Sequence, residues 1–185
     1  NVEMLLANGK LQTLARTPNT GYFTPPSVSK TTGELPFKPG DIQNWENMED
    51  NRVTMLLRWH SGHNSFAKID EEKGIAYFKT PQDGVVIVPP RYFVENVKAL
   101  LDAPGEWYFD KTNKELSFIP GDEITNPNNE NIYSSQLEQL ISIKGEKEKP
   151  VRNLRFYGLT FEGALPGNNA ITLEYAHACE LANSE

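Results

Sequence analysis

Hydrophobic and polar positions alternate over short stretches that are cut repeatedly by turn residues, the texture of a β-protein. Residues 3–7 and 11–16 are apolar-rich runs joined through Asn8-Gly9. That dipeptide supplies the positive φ angles of a type I′ turn, so a hairpin is expected. Residues 17–44 are rich in Pro, Thr, Gly and Lys with little periodicity, and read as a long surface excursion, either irregular or an ordered loop. Residues 53–60, 66–70, 74–79 and 84–88 follow as successive strands. Their separators are Gly62 and Asn64, the turn Glu71-Glu72-Lys73, and the turn Pro81-Gln82-Asp83-Gly84. Phe66, Lys68 and Asp70 alternate with Ala67 and Ile69, as in a half-buried strand. Residues 85–88 are continuously apolar instead, as in a strand covered on both faces.

The spacing then predicts one short helix over residues 92–102. Val94, Val97, Leu100 and Leu101 recur at three- and four-residue intervals, and Pro104-Gly105 ends the pattern. Residues 106–110 and 115–119 pair as a hairpin around Lys111-Thr112-Asn113-Lys114, residues 121–131 are polar loop, and 137–143 is an apolar run of either type. From Val151 the texture changes. Leu154 alternates with Phe156, Leu159 with Phe161, and Ile171, Leu173 and Tyr175 continue the pattern. Gly158, Gly163, Gly167, Asn168 and Asn169 cut these into very short strands without hairpin turns, which suggests the coils of a parallel β-helix. Only one to two coils fit in residues 151–185, whereas a solenoid needs roughly three to be stable. The expectation is therefore a solenoid whose remainder lies outside this chain.

Composition changes this picture only a little. Hydrophobic residues at 38% of 185, with 10% aromatics, are enough for a packed core. A formal charge of −7 argues against a nucleic-acid partner, and Lys144, Lys147 and Lys149 are interleaved with Glu146 and Glu148 as on a solvated loop. No apolar run reaches the roughly 18 residues of a membrane span, so membrane insertion is not expected. No signal-peptide pattern opens the chain, and any targeting segment would lie outside these residues. Cys179 is the single cysteine; it sits among apolar neighbours and reads as a small buried side chain.

Several segments together resemble bacterial right-handed parallel β-helix glycoside hydrolases in which a β-sandwich interrupts the solenoid. The likeness is to the glycoside hydrolase family 141-like group, and more distantly to family 120. It rests on Asn8-Gly9-Lys10, Leu14-Ala15-Arg16-Thr17-Pro18-Asn19, Phe66-Ala67-Lys68-Ile69-Asp70 with Gly74-Ile75, and Glu95-Asn96-Val97. The most specific run is Leu100-Leu101-Asp102-Ala103-Pro104-Gly105-Glu106-Trp107-Tyr108-Phe109-Asp110. Pro150-Val151-Arg152-Asn153-Leu154 and Phe156-Tyr157-Gly158-Leu159-Thr160-Phe161-Glu162 complete it, while residues 17–65 match poorly apart from Trp45.

The resemblance implies a mainly β chain: an antiparallel β-sandwich insertion with one short helix over residues 1–149, then the first coils of a right-handed parallel β-helix over 150–185. It implies a periplasmic or extracellular parent enzyme acting on xylose- or fucose-containing plant or host polysaccharide. The partners would be that glycan and the remainder of the parent β-helix, with no cofactor. The catalytic carboxylates would lie on coils beyond this sandwich, so no catalytic residue is assigned here.

Glycoside hydrolysis needs two carboxyl groups facing one another across the sugar, about 5–5.5 Å apart for retention and wider for inversion. Twenty-five acidic residues do not single out such a pair. Glu162 and Glu174, on the expected coils, are the two to follow, against the plainer reading of solvent-facing positions. Trp45 and Trp59 offer flat faces for stacking on a pyranose, and His60 adjoins Trp59; these three are the candidate carbohydrate contacts. Trp107 lies in the hairpin motif and reads as core. His60 and His63 have the spacing of a shared metal pair, but no third ligand is evident, so no metal is expected. No nucleophile elbow, phosphate loop, zinc-protease or dinucleotide motif is present. Three roles remain open: an accessory insertion of a glycan-degrading enzyme, an independent carbohydrate-binding module, and part of a β-helix polysaccharide lyase.

Overall fold

The computed structural model describes residues 2–29, 31–57, 59–81, 90–165, 167 and 169–185. The expected strand at 84–88, turn residues 82–84, Arg58 and Asn168 lie outside the described residues. The chain is mainly β, with several small sheets and two short 3₁₀ turns among the described residues. It packs as two compact units: Thr13–Thr125, and Asn1–Gln12 together with Asn126–Glu185. Strands β1 (Leu5–Ala7) and β2 (Lys10–Leu11) open the chain as the expected hairpin, with Leu6 opposite Leu11 and Ala7 opposite Lys10. Asn8 and Gly9 between them take φ of 51° and 75°, both in the region a type I′ turn requires.

The Thr13–Thr125 unit contains β3 (Thr13–Leu14), β4 (Arg16–Thr17), β5 (Glu34–Pro36), β6 (Arg52–Leu56) and β7 (Ser61–Asn64). It continues with β8 (Phe66–Asp70), β9 (Ile75–Phe78), β10 (Arg91–Glu95), β11 (Glu106–Asp110) and β12 (Glu115–Phe118). Two antiparallel sheets, β4-β10-β6-β7 and β5-β9-β8, contribute to one core. Val53, Met55, Tyr92 and Val94 come from the first; Leu35, Phe66, Ile69, Ala76 and Phe78 come from the second. This is the layering of a β-sandwich. The third sheet, β12-β11-β3, holds the expected hairpin, with Trp107 opposite Phe118.

Three expectations are corrected here. Residues 92–102 do not form a helix: β10 occupies Arg91–Glu95, and only Lys98–Leu100 makes a 3₁₀ turn. Val94, Val97 and Leu100 are all buried, so a stripe that looked helical is a buried strand followed by a tight turn. Asn96 at φ 61° separates the two, and its side chain donates to the Asp50 carbonyl at 2.7 Å. The excursion at 17–44 contains β5 and sends Leu35, Phe37 and Ile42 into the core. The period of β8 is broken by an irregularity between Phe66 and Lys68, which lets Phe66 and Ile69 both face inward. Phe66 stacks on Phe78 at 5.8 Å between ring centroids.

In the other unit, β13 (Ile132–Ser134) adds antiparallel to β1. There follow β14 (Ile141–Lys144), β15 (Val151–Arg152), β16 (Arg155–Tyr157), β17 (Ile171–Glu174), β18 (Ala176–His177) and β19 (Glu180–Ala182). These pair in parallel, β14 with β17, β15 with β18 and β16 with β19. Ile141 faces Ile171, Val151 faces Ala176, and Arg155 faces Glu180. The corners repeat as well. Asn153 and Ala178 stand at matching positions with φ of 61° and 52°, and Gly158 and Asn183 at 67° and 48°. The chain thus makes two successive passes of the same path, with β17–β19 laid along β14–β16. Gly145 has no room for a side chain: a Cβ there would lie 2.5 Å from the Tyr175 carbonyl oxygen and 2.7 Å from the Val151 nitrogen. Cys179 is a partly exposed free thiol rather than a buried one.

Candidate functional site

The pleat of β10 divides its side chains between two faces. Tyr92 and Val94 point into the core opposite Met55 and Val53, and burial pushes the Tyr92 hydroxyl's pKa well up from its ordinary value. Arg91, Phe93 and Glu95 point the other way, opposite Leu56, Thr54 and Arg52 of β6. Register extends these rows: Glu95 is also opposite Arg16 of β4, Thr54 opposite His63 of β7, and Leu56 opposite Ser61. The outer face of the four-stranded sheet therefore carries three arginines, one glutamate, a histidine and a phenylalanine.

Glu95 anchors one end of this face. Its Oε1 accepts from Arg52 Nε at 2.7 Å and from the Thr54 hydroxyl at 2.6 Å, with Glu95 and Thr54 both buried. The single Thr54 proton is committed to a carboxylate that can only accept. Thr54 Oγ1 must then accept from His63 Nδ1, 2.9 Å away. A neutral His63 is thereby held with its proton on Nδ1 and its Nε2 lone pair available.

The other end is aromatic and cationic. Tyr22 is 46% exposed, and its ring lies 6.0 Å from that of Phe93 at a tilt of 48°. The Arg16 guanidinium stacks on Phe93 at 3.8 Å, and Arg91 lies over Tyr22 at 5.0 Å. Arg16 is fixed by donating from Nε to the Pro18 carbonyl at 2.9 Å and from Nη2 to the Gly21 carbonyl at 2.6 Å. Arg91 is exposed, and its guanidinium has no hydrogen-bond or ion-pair partner among the described residues.

The residues singled out from sequence fall in different places. Trp59 and His60 sit in the turn between β6 and β7, beyond the Arg91–Leu56–Ser61 row, and Trp59 is 88% exposed. Trp45 instead packs, partly buried, against the core. His63 and the expected separators Gly62 and Asn64 on either side of it are all strand residues. Trp107 is buried, as its motif suggested. Tyr22, Phe93 and Arg91 went unnoticed in the sequence, and Arg16 stood out only within the motif Leu14-Ala15-Arg16-Thr17-Pro18-Asn19. Reading 91–95 as a strand would have placed Arg91, Phe93 and Glu95 on one face, but the helical stripe obscured it.

Several carboxylates elsewhere have partners of their own. Glu106 is 2% exposed and accepts three backbone N–H groups, from Arg16 on Oε1 at 3.2 Å and from Asp102 and Ala103 on Oε2 at 3.1 Å each. It is a structural acceptor within the most specific motif. Glu174 pairs with Lys144 at 3.2 Å, as Glu180 does with Arg155. Glu162 accepts a hydrogen bond from the Tyr133 hydroxyl at 2.5 Å, which raises the Tyr133 pKa. Among the described residues no group of three or more His, Cys, Asp or Glu is gathered as a metal site, and no helix is long and apolar enough to cross a membrane.

A sandwich-like unit with an open sheet face, followed by parallel passes, defines a mainly β class of domain. No protein-family model matches the chain, and no curated protein matches it. Among solved structures it is similar to one titled "Glycoside hydrolase", with a TM-score of 0.72 and 18% sequence identity. The match covers 89% of this chain and 32% of that one, so the chain spans about a third of its neighbour's length. The likeness is one of fold: this chain shares the architecture of a region of a glycoside hydrolase.

Proposed function

We propose that the chain is a glycan-contacting accessory region of a glycoside hydrolase of the family 141-like kind. In this reading residues 1–149 are a β-sandwich insertion up to the return through β14, and β14 with residues 150–185 begins a right-handed parallel β-helix that bears the catalytic carboxylates on later coils. The observation that carries the reading is the fold shared over 89% of the chain with a structure titled "Glycoside hydrolase". The parallel pairs with their repeated left-handed corners support the solenoid. Leu173 and Leu181, on the outer strands of those pairs, are about half exposed and supply apolar surface for a following coil to cover.

The sandwich's part is to hold glycan at the outer face of β4-β10-β6-β7 and the adjoining turn with Trp59 and His60. Plant or host polysaccharides containing xylose or fucose are the substrate class, met in the periplasm or outside the cell. Titration calorimetry of the chain with xylo-oligosaccharides, fucosylated oligosaccharides and acidic oligosaccharides tests this. Saturable binding to at least one, weakened by Trp59→Ala or Tyr22→Ala, is the expected result. Heat-silent, shift-free mixing with all three classes would refute it. Removing residues 1–149 from the longer protein should also lower glycan turnover.

A further inference from the structure

We infer that the Tyr22–Arg91 end of this face binds a sugar bearing a carboxylate, a hexuronate, rather than a neutral one; this rests on the glycan-contacting reading above. Charge complementarity is the ground. The chain carries −7 overall, yet this sheet face holds Arg16, Arg52 and Arg91 against Glu95 alone. Five cations form ion pairs among the described residues: Lys73 with Asp70, Lys111 with Asp50, Lys144 with Glu174, Arg155 with Glu180, and on this face Arg52 with Glu95. Arg91 and Arg16 form none of these pairs, and both rest on aromatic rings instead.

The two guanidinium groups are prepared differently. Arg16 spends its Nε and one Nη2 proton on the Pro18 and Gly21 carbonyls, which fix its plane against Phe93 and leave its Nη1 edge without a partner among the described residues. Arg91 keeps all five N–H groups without a partner among the described residues. It can leave the Tyr22 ring for a carboxylate without breaking an ion pair, and its planar fork suits both carboxylate oxygens at once. Tyr22 contributes exposed ring surface beside that charge, where the C–H face of a pyranose packs. A neutral sugar could use the ring but would leave Arg91 unmatched.

The test is calorimetric titration of the full chain with a tetrasaccharide of hexuronate and with its carboxyl-reduced counterpart, which has the same linkages and no charge. The acid form is expected to bind about tenfold or more tightly than the reduced form. Arg91→Gln should remove most of that difference, and Tyr22→Ala should weaken both forms while Tyr22→Phe restores them. Arg91 is exposed and Tyr22 nearly half exposed, and an unchanged melting temperature in each variant separates lost contact from lost fold. Equal binding of the two forms, or a preference that survives Arg91→Gln, overturns the inference and leaves glycan contact standing. Absence of binding to either form and to neutral oligosaccharides removes the glycan-contacting reading as well.

Discussion

Glu106 provides a quantitative test of how the Thr13–Thr125 unit is held together. Its side chain is almost wholly buried and serves three N–H groups, one on Oε1 and two on Oε2. In Glu106→Gln the amide can keep its oxygen towards Asp102 and Ala103, but its NH₂ must then face the N–H of Arg16, donor against donor. One buried donor left without an acceptor costs about 1–3 kcal/mol. Glu106→Ala strips all three, and with partial rescue by water the cost is on the order of 3–6 kcal/mol. Domains of this size are commonly stable by only about 5–15 kcal/mol, so the alanine variant should stand close to unfolding. Urea denaturation followed by tryptophan fluorescence suits the measurement, because Trp107 is adjacent and buried. The order wild type, glutamine, alanine is expected, with the second step at least as large as the first. Both variants falling within about 0.5 kcal/mol of wild type would refute the acceptor role, since that is the range of substitutions touching nothing important.

Other measurements probe separate parts of the structure. Asp110 accepts from Thr112 and Asn113 in the β11–β12 turn, and the Asn113 hydrogen bonds hold its carboxyl below its ordinary range. Its stabilisation is therefore present above the ordinary carboxylate pKa and lost as pH falls through the lowered folded value; the advantage of wild type over Asp110→Asn should be full near about pH 6 and vanish in acid. Gly145→Ala should lower the melting temperature, because its Cβ would press on the backbone at Val151 in its own pass and at Tyr175 in the next; an unchanged melt would mean that the passes sit farther apart. Thr54→Val should free the His63 proton from Nδ1, visible as a change in the imidazole ¹⁵N shifts, and should destabilise the unit by about 1–3 kcal/mol through the donor lost to Glu95.

Where sequence was legible and where it was not follows from the range of the interactions involved. The hairpins were readable because their turns are specified locally, by Asn8-Gly9 and by the Asp110 turn. The β8 boundaries were readable for the same reason, but not its irregularity, which answers to packing against β9. The β10 segment misled because strand residues Tyr92 and Val94 and turn residues Val97 and Leu100 are all buried for tertiary reasons, and together they imitate a helical stripe. β5 lay hidden in a polar stretch because Leu35 is its one fully buried residue. At the candidate site, Trp59 was visible as an isolated aromatic. The cluster of Arg16, Tyr22, Phe93 and Arg91 was not, since these residues meet only through pairing between distant strands and loops.

Under the proposed hexuronate binding, the uneven placement of charge on the four-stranded sheet bears on the length of glycan that the sheet would retain. With three arginines against one glutamate on that face and −7 over the chain, every other residue together sums to a still more negative total. A polyanion that outgrows the arginine patch meets repulsion at its overhanging ends, within a Debye length of about 8–10 Å at moderate salt. Affinity per molecule should rise to a short optimum and then level or fall as the oligomer lengthens, and added salt should flatten that profile. Such a grip favours brief capture and ready release over permanent adhesion to a long strand.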